Sequence, residues 1–324
     1  MKPLPTHDLD EIATRCADVF RALDGAHVLI TGASGFVGSW LFESIQHVCA
    51  MTPRRLRWTA GVRRGVNLSH SSDRGGIVIG DIRQLVIPDG VTHVIHCASA
   101  ASAAENAEAP GDVCGMIRMG TDRVAQECRR VGVSRLLVLS SGSVYEPKSD
   151  GAPYREDDPL RRVGASDRIA RAKVDAEAYA LDVRSVPTVI ARGFAMLGPR
   201  LPPQFAAAQF MADALAGRPI RVTNPGTVRS YLYASDMAAW LWTLLVKGEA
   251  GTAYNVGGDW RDRHAMLGIA DAISDRTGAI VHEGEGFATA PFCPYVDRAG
   301  ALGLVGWTTT TEAIARWWAW ERGT

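Results

Sequence analysis

The segment from His27 to Trp40 constrains the fold more than any other part of the chain. Val28, Leu29 and Ile30 form an unbroken apolar run, the pattern of a parallel strand buried on both faces. Gly32, Gly35 and Gly38 follow at three-residue spacing, and Trp40, Leu41 and Phe42 then open an apolar helix. A strand, a glycine turn and a helix start in that order suit an anion. The turn is tight, the backbone leaves room for a pyrophosphate, and the first N–H groups of a helix lack intrahelical partners. Gly32, Ser34, Gly35, Phe36, Val37 and Gly38 are therefore the expected phosphate cradle.

Around that segment the pattern is α/β throughout. Apolar positions from Leu9 to Leu23 predict a helix over Asp8 to Leu23 ahead of the first strand. Arg55 to Val62 reads as the second strand and ends at Arg63 and Arg64. An acid near this strand end would take the ribose 2′-hydroxyl of NAD, whereas arginine accommodates a 2′-phosphate; two arginines and no acid favour NADP(H), with NAD possible. Gly76 to Ile79 and Val91 to His96 predict two further strands. The first is followed by Asp81 and Ile82, with Asp81 a candidate acceptor for the adenine amino group. The second runs into Cys97, Ala98 and Ser99, small enough for a dinucleotide to lie across the sheet edge.

A helix from Asp112 to Val131 precedes a strand over Arg135 to Leu139 and a turn from Ser140 to Tyr145. The carboxyl end of a central parallel strand is where open α/β sheets bind ligands, which singles out Ser140, Ser141 and Ser143. A polar loop from Gly151 to Val163, carrying Tyr154, leads to a helix over Ser166 to Leu181 and a strand over Val186 to Ala191. Beyond it, helices are expected at Phe205 to Ala216, Ser235 to Val246, Met266 to Thr277 and Thr311 to Glu321, with strands at Ile220 to Val222 and Tyr254 to Val256.

Composition narrows the partners. Lys plus Arg and Asp plus Glu number 35 each, so bulk charge favours neither nucleic acid nor an anionic membrane. No apolar run approaches the roughly 18 to 20 residues of a membrane span. The six cysteines include no C-x-x-C pair, which predicts reduced thiols, no bound metal and a cytoplasmic setting; the first residues carry no signal-peptide core.

With these residues in place, the chain resembles the extended short-chain dehydrogenase/reductase family, the NAD-dependent epimerase/dehydratase group acting on sugar nucleotides. The likeness rests on Thr31 to Gly38, Asp81-Ile82, His96 to Ala98, Ser140 to Tyr145, Arg192 to Pro199, Arg229 to Asp236 and Tyr254 to Gly258. It implies a Rossmann-type doubly wound parallel sheet with a smaller C-terminal substrate-binding portion. The expected division is an N-terminal extension over 1–23, a dinucleotide domain over 24–195 completed by about 230–258, and substrate-binding segments over 196–229 and 259–324. It also implies a nucleotide-sugar substrate, Arg192 among the cofactor residues, Phe194, Ala195 and Arg229 among the substrate residues, and a homodimer built on the helices over Asp112 to Val131 and Ser166 to Leu181.

Family chemistry pairs hydride transfer at the nicotinamide with proton transfer by a tyrosine, aided by a Ser or Thr and by a Lys four residues after the tyrosine. Ser141 takes the Ser position and Lys173 the Lys position, which makes Lys173 both a catalytic and a cofactor residue, but four residues before Lys173 stands Ile169. Ala195 and Ile117 replace two asparagines that the family carries. Isoleucine moves no proton, and general acid–base help is worth roughly 10²- to 10⁴-fold. Tyr154 is the candidate substitute; His96, Cys97, Tyr145 and Asp167 are weaker ones, readable as core or capping residues. The reading is an NAD(P)-dependent nucleotide-sugar epimerase or dehydratase with a non-standard acid or base. A catalytically silent NADP(H)-binding homologue and a reductase or isomerase on a non-nucleotide carbonyl compound are the alternatives.

Overall fold

The computed structural model describes residues 2–65, 74–98, 110–162 and 167–323. Two compact units emerge: Met1–Val144 with Pro159–Arg192 and Ala238–Tyr254, and Tyr145–Asp158 with Gly193–Met237 and Asn255–Thr324. The segment 145–158 thus belongs with the later parts of the chain, and the N-terminal extension is part of the first unit.

The first unit carries β1 (His27–Thr31), β2 (Arg57–Val62), β3 (Gly75–Ile79), β4 (His93–His96), β5 (Arg135–Ser141) and β6 (Thr188–Gly193). Its main helices are α1 (Thr6–Arg15), α2 (Ala17–Ala22), α3 (Phe36–Met51), α4 (Pro110–Val131) and α5 (Arg168–Asp182). After β7 (Met196–Leu197) come α6 (Ala206–Leu215), β8 (Ile220–Val222), β9 (Val228–Ser230), β10 (Leu232–Tyr233), α7 (Ala234–Lys247) and β11 (Ala253–Val256). The chain ends with β12 (Arg263–Ala265), α8 (Met266–Thr277), β13 (Val281–Glu283), α9 (Asp297–Gly300) and α10 (Thr310–Arg322).

Seven strands form one sheet in the order β3-β2-β1-β4-β5-β6-β11. The pairs β3–β2, β2–β1, β1–β4 and β4–β5 run parallel, with Ile30 facing Ala60 on one side and Ile95 on the other. The order turns back at β1 and β4, the switch point where open α/β sheets open a crevice at their carboxyl ends. Val28 to Thr31 are all buried, as an unbroken apolar run between two helical layers requires. On one face Leu29, Val94 and Leu136 pack with Val124 and Cys128 of α4. Elsewhere in the unit Phe42 meets Trp58 edge-on at 4.9 Å, and Phe20 lies 5.2 Å from Trp242.

Several boundaries depart from the sequence reading. The single N-terminal helix is two, because the backbone leaves helical dihedrals at Cys16 (φ −102°, ψ 21°), where the thiol donates to Ala239 O at 3.4 Å. Strand β2 begins at Arg57 rather than Arg55, after Arg55 N is taken by the Asp24 carboxylate. Strand β4 begins at His93 rather than Val91. Ser140 and Ser141 continue β5, and the turn falls on the 3₁₀ segment Gly142–Val144, so strand direction rather than a loop sets both serines. Helix α4 begins at Pro110 and α5 at Arg168, capped by the Asp167 carboxylate, which accepts from Ala170 N at 3.0 Å. The predicted Met266–Thr277 helix is found as read, closing on Gly278 in the left-handed region (φ 72°).

The second unit is held by Leu197, Phe210, Met211, Ile220, Ile269 and Trp317. A separate aromatic group joins Tyr145, Tyr154, Phe194 and Phe292.

Candidate functional site

At the carboxyl end of β1 the chain turns through Gly32, whose φ of 70° suits glycine. Gly32 N and Ala33 N both donate to Gly61 O, at 2.8 and 3.2 Å, tying the turn to β2. A methyl on Gly38 would stand 2.1 Å from Gly32 O, and one on Gly32 2.8 Å from Ala98 N, so both glycines let helix and strand approach. Gly35 differs. It is exposed, and a Cβ there would meet only Gly32 O, at 3.3 Å, filling the open side of the turn. Gly35 is also the N-cap of α3 and provides no side-chain acceptor, so the helix start remains available to an anion. Ser34 is exposed beside it, and Phe36 and Val37 open the helix half-buried. The turn thus fits a dinucleotide pyrophosphate on its own geometry.

His96, at the end of β4, is locked in place. Thr121 Oγ1 donates to Ile117 O at 2.8 Å and so accepts from His96 Nε2 at 3.1 Å, which leaves Nδ1 to accept from Thr31 Oγ1 at 2.8 Å. Burial lowers its pKa to about 3, so it is a neutral core histidine joining β1, β4 and α4. Cys97 follows with its thiol pushed up to about 12 by burial, which excludes it as a ready nucleophile. Ala98 is half-buried, while Ser99 lies outside the described residues.

The remaining cofactor candidates divide. Arg63 and Arg64 stand exposed just past β2. Asp81 is committed locally: its carboxylate caps the 3₁₀ segment Ile82–Gln84 through Arg83 N at 2.9 Å and accepts from Arg83 Nε at 2.9 Å. The Arg83 hydrogen bond holds its pKa below the usual carboxylate value. Ile82 packs on α4 beside Gly120, where a Cβ would come within 2.6 Å. Arg192, read from sequence as a cofactor residue, is buried and bound to buried Glu177: Nε reaches Oε1 at 3.1 Å and Nη2 reaches Oε2 at 2.8 Å. Glu177 went unnoticed in the sequence. Its signal was its place four residues after Lys173 on one helix face.

Ser140 and Ser141 end β5. Ser140 is buried; the Ser141 hydroxyl is half-exposed and accepts from Ser143 N at 3.2 Å, while Ser143 O accepts from Arg161 Nε at 2.8 Å. Lys173 is half-buried on α5, its pKa lowered by desolvation against the opposing pull of Glu177 and Cys97. A cavity of about 10 Å³, enough for about one water, lies among Ser140, Lys173, Glu177, His96 and Thr121. One turn before Lys173, Ile169 packs on an apolar cluster of Val113, Cys114, Ile117, Ala172 and Ala176. Ile117 and Ile169, which the resemblance sets against polar residues, therefore share one patch between α4 and α5.

In the second unit, Tyr154 is 4% exposed and stacked on Tyr145 at 5.3 Å, and its hydroxyl accepts from Lys148 N at 3.2 Å. Tyr145 donates to Asn255 Oδ1 at 2.7 Å, and Asn255 Nδ2 donates to Tyr154 O at 3.0 Å. These bonds make both tyrosines part of the unit's packing. Phe194 lies 4.8 Å from Phe292, and Ala195 O accepts from Leu232 N at 3.1 Å. Arg229, on β9, donates to Val228 O at 2.7 Å and Thr289 Oγ1 at 3.3 Å. Desolvation lowers its pKa, and no carboxylate pairs with it among the described residues. A half-buried cation with only neutral acceptors suits an anionic ligand.

Among the described residues, His7, Asp8 and Glu11 alone form a group within reach of a common ion, and there Arg15 takes Glu11 at 2.9 Å. No helix among them is long and apolar enough to cross a membrane.

A glycine turn feeding an uncapped helix at the switch point of a doubly wound sheet defines a dinucleotide-binding α/β protein. Residues 28–257 match the NAD dependent epimerase/dehydratase family, and the chain belongs to that family. It is 26% identical over 317 residues to a dTDP-glucose 4,6-dehydratase of an Actinoplanes species, covering 91% of this chain and 97% of that one. A trifunctional UDP-glucose 4,6-dehydratase/UDP-4-keto-6-deoxy-D-glucose 3,5-epimerase/UDP-4-keto-L-rhamnose-reductase of Arabidopsis thaliana is 26% identical over 267 residues, which span 40% of its length. The fold also matches that of DesIV, a dTDP-glucose 4,6-dehydratase from Streptomyces venezuelae solved with NAD and TYD bound. The TM-score is 0.77 at 19% identity, over 92% of this chain and 97% of that one.

Proposed function

We propose that the protein is an NAD(P)-dependent nucleotide-sugar-modifying enzyme of epimerase or dehydratase type. The observation that carries this reading is the family match over residues 28–257, which includes the open glycine turn, Ser141 on β5 and Lys173 on α5. The turn from Gly32 to Gly38 and the α3 start hold the pyrophosphate, and the Lys173 ammonium donates to the ribose. When bound, the nicotinamide supplies the hydride acceptor. Ser141 hydrogen-bonds the sugar oxygen at the reacting carbon, and Arg229 recognises the diphosphate of the nucleotide sugar. Arg63 and Arg64 favour NADP, although NAD is present in the DesIV structure. Exposed Met119 on α4 and Tyr179 on α5 supply apolar surface for a homodimer through those helices.

Ile169 makes the proton step non-standard. Tyr154 is the candidate substitute, but its burial and the Lys148 contact favour a packing role. The test is product analysis by NMR after incubation with a panel of nucleoside-diphosphate sugars and NAD⁺ or NADP⁺. Conversion of one of them is expected, with Ser141→Ala and Lys173→Met each lowering turnover by about 10²-fold or more. Tyr154→Phe is expected to stay within about tenfold of the wild type; a loss of about 10²-fold or more makes Tyr154 the acid or base. No conversion of any nucleotide sugar, together with tight dinucleotide binding, would overturn the enzymatic reading in favour of a silent binder.

A further inference from the structure

Segments 24–27, 54–58 and 74–76 meet at the amino ends of β1, β2 and β3, and in them four arginines stand against one acid, Asp24. In a chain of zero net charge that is a local excess of positive charge. The backbone that carries it is fixed. Arg57 N donates to Ala26 O at 2.9 Å and Trp58 N to Arg74 O at 3.0 Å, which sets the three strand starts side by side. Arg55 N donates to Asp24 Oδ1 at 2.8 Å. Arg74 Nη1 donates to Cys49 O and Arg54 O, each at 2.9 Å, and to Thr52 O at 3.3 Å. Arg74 thus closes the carboxyl end of α3 and pins the connection into β2.

Gly25, Arg55, Arg57 and Arg74 line a cavity of about 510 Å³ that opens to solvent. That volume lies within the roughly 300 to 1,000 Å³ of small-molecule sites. Gly25 adds no wall, since a Cβ there would meet nothing within 4 Å. The arginines differ in their commitments. Arg74 is engaged by the three carbonyls. Arg55 and Arg57 are exposed, and among the described residues neither guanidinium has a hydrogen bond or an ion pair. Arg54 is half-buried, with its Nε buried and unbonded. Asp24 is exposed and is bonded to a backbone N–H rather than to a guanidinium. The Arg57 charge is felt at His27, whose pKa is lowered by burial first and by Arg57 second. Guanidinium groups bind phosphate oxygens through paired N–H donors, and a rigid backbone reduces the ordering cost of binding.

We propose that this concavity binds a small polyphosphate anion, with Arg55 and Arg57 as its ligands and Arg74 holding the backbone between them. Two guanidiniums on one cavity match two linked phosphate groups. A nucleic-acid backbone would need its cations in a row, whereas these are gathered around one hollow. The cavity lies at the amino end of β1 and the glycine turn at its carboxyl end, so this site is separate from the one read for the dinucleotide and does not rest on the reading of the reaction.

The experiment is isothermal titration calorimetry of the intact protein with pyrophosphate. Saturable binding with a Kd below about 1 mM is expected, and it should persist when NADP⁺ is in excess. Arg55→Gln/Arg57→Gln should weaken it by at least about tenfold, and Arg55→Lys/Arg57→Lys by less, because the charge stays while the fork is lost. Circular dichroism checks that both variants are folded. Inorganic phosphate and ATP are titrated in parallel: weaker binding of phosphate supports a site for two linked groups, and tighter binding of ATP that is lost in Arg55→Gln/Arg57→Gln assigns those groups to a nucleotide. No saturable binding of pyrophosphate, binding unchanged in Arg55→Gln/Arg57→Gln, or binding displaced by NADP⁺ would each overturn the proposal. A single-stranded oligonucleotide that binds more tightly than pyrophosphate, and loses its affinity in the same variant, would overturn it in favour of nucleic acid. If NADP⁺ itself does not bind, the cofactor reading fails and the titration of the variants still decides this site.

Discussion

His96 shows how one residue's environment becomes a measurable property. Buried between Thr31 and Thr121, its pKa falls from 6.5 to about 3. The unfolded chain takes up the proton first as pH drops. The stabilisation is therefore complete above about pH 6.5 and is lost as pH falls from there toward 3, at up to about 1.4 kcal/mol per pH unit. Urea unfolding of wild type and His96→Gln between pH 7 and 4 checks this: the wild-type midpoint should fall more steeply, and equal slopes would refute it. At this scale the sequence was partly legible. His96 reads as a core histidine because it ends an apolar strand, and Asp167 reads as a cap because it precedes a helical stripe. The partner of Arg192 was not legible in the same way. A charge on a strand end pairs with whatever the helix above it presents, and that depends on how α5 lies on the sheet.

Among the elements, α1 and α2 precede the family match, which begins at residue 28. Leu9, Ile12, Cys16, Val19, Phe20 and Leu23 are all buried, so the N-terminal segment is a packed layer of the first unit. Phe20 touches Trp242, Cys16 bonds Ala239 O, and Lys247 reaches Asp18 at 2.5 Å, so three positions of α7 hold it. Phe20→Ala should destabilise the protein by about 3–5 kcal/mol, as a lower thermal midpoint and urea midpoint. A loss below about 1 kcal/mol would mean that the segment is peripheral. The helical stripe predicted that a helix would bury this face, but not the break at Cys16. A break costs little where a side chain finds a partner, and the partner here lies 223 residues away in sequence.

For the whole molecule, a net charge of zero leaves anion binding to local groups, and those we propose for cofactor and substrate are the uncapped α3 start, Arg63 and Arg64 in the first unit, and Arg229 in the second. The proposed cofactor preference belongs to this scale because, on that reading, the α3 start and the two arginines act on one ligand. Arg63→Ala/Arg64→Ala should weaken NADP⁺ binding by at least about tenfold while changing NAD⁺ affinity little, measured by equilibrium titration. Equal loss for both dinucleotides would assign the arginines to general electrostatics. That Tyr154 belongs to the second unit's aromatic group likewise appears only when the chain divides: segment 145–158 joins residues 291–295 through Tyr154 N to Cys293 O at 2.9 Å and Tyr295 N to Tyr154 O at 2.7 Å.

The sequence by itself determined the parallel α/β architecture, the strand-turn-helix at Gly32 to Gly38 and the family. Each follows from short-range rules: apolar periodicity, glycine where a Cβ would collide, and ordered motifs. Only the tertiary structure decided what the polar residues do. It turned Asp81 to Arg83, Arg192 to Glu177 and Tyr154 to Lys148 N, and it placed Ile117 and Ile169 in one apolar patch. The reason is physical. A buried polar group must find a partner wherever packing brings one, and packing is set by the whole chain.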